Sequence, residues 1–180
     1  KENDITTYGI DNFANVTAKD ITVTNLYVDF KVKITDRNER IKVGIPGRFS
    51  VYNSLAAICV AKKLGISPEV IKEALLEVRV PGRSELVDNK MELPIMIDYA
   101  HSPESLQNIL QAVKSYTRGK VISVFGCGGD RDSGKRPIMG EISGRIADFT
   151  IITSDNPRTE DPQKIVDQIE EGIKKTKGNY

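Results

Sequence analysis

Along the first quarter of the chain apolar and polar residues alternate, and after Gly47 the apolar residues recur at three- and four-residue intervals instead. The alternating stretches 5–9, 21–26, 28–34 and 41–45 predict strands, separated by Asp11-Asn12 and by the turn-like run 35–39, and together they predict a small antiparallel sheet. Past the change of period, Val51, Leu55, Ile58, Cys59 and Leu64 fall on one helical face, and Gly65 is a natural stop. Ser67 caps a second predicted helix, with Pro68 in its first turn and Val70, Ile71, Ala74, Leu75 and Val78 on its inner face. The two helices are expected to form a hairpin, and residues 80–84, Val-Pro-Gly-Arg-Ser, read as a linker into a new unit.

From Glu85 onward the pattern runs strand, loop, helix three times. Residues 95–99 lead through His101-Ser102-Pro103 into a helix bearing Leu106, Ile109, Leu110 and Val113. Residues 120–125 lead through GCGGDRDSGKRP, 126–137, into a helix whose face is read as Ile138, Met139, Ile142 and Ile146. Residues 149–153 lead through SDNPRTEDP, 154–162, into a helix with Ile165, Val166, Ile169 and Ile173. Strands alternating with amphipathic helices predict the α/β class, a doubly wound, mainly parallel Rossmann-like sheet, here preceded by a small β-rich segment and a helical pair. Ligands of such sheets bind beyond the carboxyl ends of the strands, so the three loops are expected to face one cleft.

Composition narrows the classes. With 180 residues, 39% hydrophobic and 28% charged, the chain has ordinary globular material for one good core or two small ones. Its 26 basic and 25 acidic side chains leave no polyanion-binding surface, which argues against nucleic acid as a partner. Two cysteines without CxxC spacing and a single histidine do not build a metal site, and they fit a reduced, cytoplasmic setting. No apolar run reaches the roughly 18 residues of a membrane span and no signal peptide is seen. The chain opens at Lys1 as if mid-protein and stops at Tyr180 just after a helix, as a piece of a longer protein would.

The candidate chemistry lies in the loops. In 126–137, Gly126, Gly128, Gly129 and Gly134 allow close backbone approach, while Arg131, Lys135 and Arg136 add positive charge at a helix amino terminus, so an anionic ligand is expected. The run from Gly129 to Lys135 fits a phosphate loop up to its last position, where Arg136 stands in place of the Ser or Thr that would hold magnesium; a tight turn with solvated charges is the plainer alternative. His101 has no GxSxG elbow beside it, which argues against a hydrolase triad. Asp98, at a strand end, reads as a catalytic or ribose-binding carboxylate or as a turn acid; Arg83 and Asn53 read equally well as capping or solvated groups. In Asp155-Asn156-Pro157-Arg158 the proline stiffens the turn, Asp155 can accept from an ammonium, Asn156 can donate and accept, and Arg158 offers a fork to a carboxylate. Together these complement a zwitterion such as an amino acid, the alternative being an Asx turn beside a solvated arginine.

Five stretches in order, GRFSVYNSLAA, VPGRSELV, IDYAHSPESL, VFGCGGDRDSGKRPIMGEI and SDNPRTEDP, resemble the Mur ligases, in particular those that add the third residue of the peptidoglycan stem peptide. The resemblance spans residues 7–172. It implies the end of a central ATPase domain, residues 1–80, and most of a carboxyl-terminal domain, residues 81–180, the latter incomplete. It further implies an ATP-dependent ligase that joins meso-diaminopimelate to a UDP-N-acetylmuramoyl-dipeptide through an acyl phosphate, with ATP and Mg2+ as cofactors and the metal ligands elsewhere in the whole protein. By motif, Asn53 would contact adenine, Arg83 the phosphates or ribose and Asp98 the ribose, with His101 nearby, while Arg131, Asp155, Asn156 and Arg158 would bind diaminopimelate. No catalytic residue of the family falls in the chain, so the chain alone is expected to be inactive. Ser50 departs from the family's usual asparagine in the nucleotide pocket. The rival readings are a stand-alone nucleotide-binding module, which lacks a GxGxxG after a strand, and a noncatalytic interaction domain.

Overall fold

The computed structural model describes residues 5–91 and 93–180, and the chain divides into two compact units, Lys1–Asp98 and Tyr99–Tyr180. In the first unit β1 (Tyr8–Gly9) and β2 (Val16–Thr17) form a short parallel pair, and β3 (Lys19–Val23), β4 (Val28–Lys33) and β5 (Asn38–Val43) form an antiparallel sheet. Strand β4 alternates as its sequence dictates, with Val28, Phe30 and Val32 inward and Asp29, Lys31 and Lys33 outward. Strand β5 begins at Asn38, earlier than residue 41, because the ladder continues until Lys33 pairs Asn38 and leaves only Ile34 to Arg37 for the turn.

Helix α1 (Arg48–Lys63) follows, and Val51, Leu55 and Ile58 bury against Phe30, Ile41 and Val43. The helix ends in a Schellman arrangement: the Gly65 amide donates to the Lys62 carbonyl and the Ile66 amide to that of Ala61, with Gly65 at φ +73°. Ser67 then caps α2 (Pro68–Glu77), accepting from the Val70 amide with Pro68 in the first turn. The unit closes with β6 (Glu85–Val87) paired antiparallel to β7 (Ile95–Ile97). The predicted strand at 95–99 thus finds an antiparallel neighbour among the described residues.

The second unit contains α3 (Pro103–Tyr116), β8 (Ile122–Phe125), α4 (Lys135–Ile146), β9 (Phe149–Ile152) and α5 (Pro162–Ile173). Strands β8 and β9 are parallel and in register, Ile122 opposite Phe149 through Phe125 opposite Ile152. Ser102 opens α3 with a capping box, its hydroxyl accepting from the Ser105 amide and the Ser105 hydroxyl from that of Ser102. Leu106, Leu110, Met139, Ile165, Ile169 and Ile173 form the core between helices and sheet. On the other face of the strands Ile122, Val124, Phe149 and Ile151 are exposed.

Helix α4 packs differently from its hydrophobic pattern. Met139 is buried, but Ile138 is 50% exposed, and the inner stripe is Arg136, Met139, Gly140, Ser143 and Gly144. Small residues occupy it because α5 approaches to backbone contact: a β-carbon on Gly140 would overlap the Ile169 carbonyl, and one on Gly172 the Pro137 carbonyl. The Ser143 and Thr150 hydroxyls, both buried, share a 2.8 Å hydrogen bond that ties α4 to β9. No helix among the described residues is long and apolar enough to cross a membrane.

Candidate functional site

Two loops leave the carboxyl ends of β8 and β9 and lock together. The Gly129 amide donates to the Asn156 carbonyl at 2.8 Å, and Arg158 Nη1 donates to the Gly129 carbonyl at 2.8 Å. The approach is so close that a β-carbon on Gly126 would overlap the Thr153 carbonyl, and one on Gly129 that of Pro157. At these two positions the absence of a side chain is a steric requirement. The Asp130 carboxylate accepts from the Thr159 hydroxyl at 2.7 Å and the Thr159 amide at 3.2 Å. Around this frame Arg131, Asp155, Asn156 and Arg158 are all exposed on the loops. The structure therefore gathers onto two interlocked loops the four residues expected to hold an amino acid.

His101 lies in the same unit, also exposed. Its Nδ1 is 3.0 Å from the Tyr99 carbonyl, its ring packs against Tyr99 at 4.9 Å between centroids, and its carbonyl accepts from Lys135 Nζ at 2.8 Å. Lys135, expected to face an anion, thus has its ammonium tied to the His101 loop.

Arg136 corrects the expectation more sharply. It is 1% exposed, and its guanidinium donates Nη1 to Glu160 Oε2 and Nη2 to Glu160 Oε1, both at 2.8 Å, with Nη1 also 2.7 Å from Gln168 Oε1 and Nη2 3.2 Å from the Gly128 carbonyl. Its charge is spent inside the protein and does not face a ligand. The Arg136 guanidinium and the Asp130 amide hold the Glu160 carboxyl down at about 2, and Glu160 in turn raises the guanidinium's own value. Sequence reasoning gave Glu160 and Asp130 no role. The available signal was positional, since Arg136 stands three and four residues before Met139 and Gly140, on the stripe that faces α5.

The remaining predicted residues belong to the first unit. Asn53 is exposed on α1, and Arg83 is exposed in the turn whose amide donates back to the Val80 carbonyl. Asp98 is half-buried, and its Oδ2 accepts from the Ser84 amide at 2.9 Å and the Ser84 hydroxyl at 3.4 Å, holding Ser84 at φ +45°. Ser50 is buried and donates to the Pro46 carbonyl at 3.3 Å within its own helix start. Among the described residues no group of three His, Cys, Asp or Glu side chains is placed to hold a metal ion.

Residues 82–179 match the family model described as Mur ligase, glutamate ligase domain, and residues 1–61 match the Mur ligase middle domain. The chain belongs to the Mur ligase family. It is 54% identical over 176 residues to the UDP-N-acetylmuramoyl-L-alanyl-D-glutamate–2,6-diaminopimelate ligase of Caldanaerobacter subterraneus subsp. tengcongensis, covering 98% of this chain and 36% of that protein. To the enzyme of the same name from Clostridioides difficile it is 46% identical over 175 residues, covering 97% and 36%. A solved structure of a ligase so named superposes with a TM-score of 0.60 at 31% identity over 96% of this chain and 36% of that one. The UDP-N-acetylmuramate-alanine ligase of Thermotoga maritima superposes with a TM-score of 0.72 at 25% identity, over 92% and 37%. The chain thus spans about 36% of the length of the curated relatives it matches.

Proposed function

We propose that this chain is part of an ATP-dependent ligase of peptidoglycan synthesis, acting in the cytoplasm, that adds meso-diaminopimelate to UDP-N-acetylmuramoyl-L-alanyl-D-glutamate. In this reading residues 1–80 end the central ATP-binding domain and residues 81–180 form most of the carboxyl-terminal domain. The observation that carries it is the fixed Arg158: one guanidinium nitrogen is held by the Gly129 carbonyl, on an exposed loop that also carries Asp155 and Asn156. Opposite charges on one loop suit an amino acid, and a second arginine, Arg131, suits one with a carboxylate at its far end.

A carboxylate is a poor electrophile. ATP supplies the phosphoryl group that turns the D-glutamyl carboxylate into an acyl phosphate, from which the incoming amine expels inorganic phosphate. What these residues contribute is alignment: Asp155 and Asn156 hold the amino end, Arg131 and Arg158 the carboxylates, and a nucleophile fixed within reach of the acyl carbon gains most of what proximity can give. We assign Asn53 to adenine, Arg83 to phosphate or ribose, and Asp98 to ribose through the Oδ1 that Ser84 leaves unused, with His101 nearby. Magnesium ligands lie in parts of the protein outside this chain, and the chain alone neither hydrolyses ATP nor forms product.

The test is made in the full-length ligase carrying this sequence. Product forms with diaminopimelate, ATP and the UDP-dipeptide, and Asp98→Ala raises the apparent KM for ATP while leaving that for diaminopimelate nearly unchanged. The reverse pattern refutes the nucleotide assignment, and absence of diaminopimelate-dependent product refutes the substrate.

A further inference from the structure

Besides the contacts that Asn156 and Arg158 make to Gly129, the two loops are joined by a second set of contacts from residues not assigned to the amino acid, and these converge on one carboxylate. Glu160 receives both Nη atoms of Arg136 and, on Oε1, the Asp130 amide at 2.6 Å. Its own amide donates to the Pro157 carbonyl at 3.0 Å, closing the turn that contains Arg158. One side chain thus joins the start of α4, the glycine-rich loop and the Pro157–Glu160 turn.

Two backbone positions show what this junction restrains. Asp130 has φ +51° and Arg158 has φ +49°, left-handed conformations that residues other than glycine adopt only when their surroundings over-determine them. They stand on facing loops. Asp130 is held by Glu160 through its amide and by Thr159 through its carboxylate, and Arg158 lies between Pro157 and Thr159, which the same contacts hold. Arg136 has no partner at Nε among the described residues, so its orientation is set end-on by both Nη atoms. A guanidinium that meets a carboxylate through two parallel bonds fixes angle as well as distance, which a lysine ammonium does not.

We propose that Arg136 and Glu160 are positioning residues of the amino-acid site: their ion pair sets the backbone of the 155–158 loop and with it the Arg158 guanidinium, so that amino-acid recognition depends on two charged groups that do not touch the amino acid. The proposal rests on the reading of these loops as the amino-acid site. It differs from a general stabilising role in what it makes local. The pair joins loop to loop, and its loss misplaces the recognition groups while the β8–β9 ladder and the helical core remain.

The experiment compares Glu160→Gln and Arg136→Lys with wild type, Arg136→Lys preserving charge in the buried position. Amide hydrogen exchange is read residue by residue, and the Michaelis constants of the full-length ligase are measured for amino acid and ATP. Exchange at the Gly129, Asp130 and Thr159 amides is expected to accelerate by about tenfold or more with β8 and β9 unchanged. The KM for diaminopimelate is expected to rise by about tenfold or more, as misplaced binding groups require, with that for ATP changed less than about twofold. Unaltered exchange at the three amides, acceleration spread evenly through the unit, or parallel rises in both KM values overturns the proposal. A wild-type enzyme that uses lysine in place of diaminopimelate refutes the substrate reading alone, and the pair is then judged on the lysine constant by the same criteria.

Discussion

Gly129 and Pro157 stand so close that a β-carbon on the glycine would overlap the proline carbonyl, while the Gly129 amide is bonded to the neighbouring Asn156 carbonyl at 2.8 Å. Neither loop can give way without breaking that bond. Gly129→Ala is expected to destabilise the protein by about 1–3 kcal/mol, the usual penalty of overpacking. It should also raise the KM for the amino acid more than that for ATP. Denaturant unfolding and steady-state kinetics on one preparation check both.

Arg158 should read the distal carboxylate of diaminopimelate. Removing its guanidinium is expected to lower kcat/KM for diaminopimelate at least about tenfold, given about 1.5–3 kcal/mol for a charge-assisted hydrogen bond, and to affect the small activity with lysine much less. Asn is the better replacement than Ala, since it tolerates the left-handed backbone at φ +49° and keeps the turn. Equal losses with both amino acids would show that Arg158 only supports the loop.

Acid stability should carry the signature of Glu160. Its folded-state value, about 2 against an ordinary 4.5, is depressed, so the stabilisation is fully present above the ordinary value and is lost as pH falls through the folded one. Unfolding midpoints of wild type should therefore decline between roughly pH 5 and pH 2, and Glu160→Gln should remove part of that decline. Other depressed carboxylates, among them Asp148 beside Lys114 and the Val121 amide, remain in both proteins and cancel in the difference.

In the first unit the anchor is Phe30, fully buried at the centre of β4. Phe30→Ala is expected to cost about 3–5 kcal/mol, transfer and cavity together, measured by denaturant unfolding.

Much of this was legible in the sequence for particular reasons. Ser67-Pro68 and Gly65 mark helix ends by chemistry that acts locally, and α2 starts and α1 stops where those residues say. The alternation in β4 survives because one face of its sheet packs on α1. Glycines and polar residues after β8 and β9 pointed to the loops that hold Arg131, Asp155, Asn156 and Arg158. The inner face of α4 was not legible by hydrophobic periodicity, which gives weight to Ile138 and none to Gly140, although the contact with α5 is made at backbone distance. For the same reason Arg136 read as an anion-facing charge. Its partner lies 24 residues away on the next loop, and only the packing of α4 against α5 brings Glu160 to it.

The uncovered face of the β8–β9 pair bears on how this polypeptide behaves in a test tube. Ile122, Val124, Phe149 and Ile151 present side by side an exposed apolar surface of branched and aromatic groups, and a net charge of +1 with an isoelectric point near 7.9 supplies little repulsion to keep two such surfaces apart. Colloidal stability should therefore be poorest in mildly alkaline, high-salt buffers and improve as the pH is moved well to either side. Light scattering should show particle size rising with concentration, and replacing Val124 and Ile151 with lysine should suppress that rise while the circular dichroism of the helices stays the same.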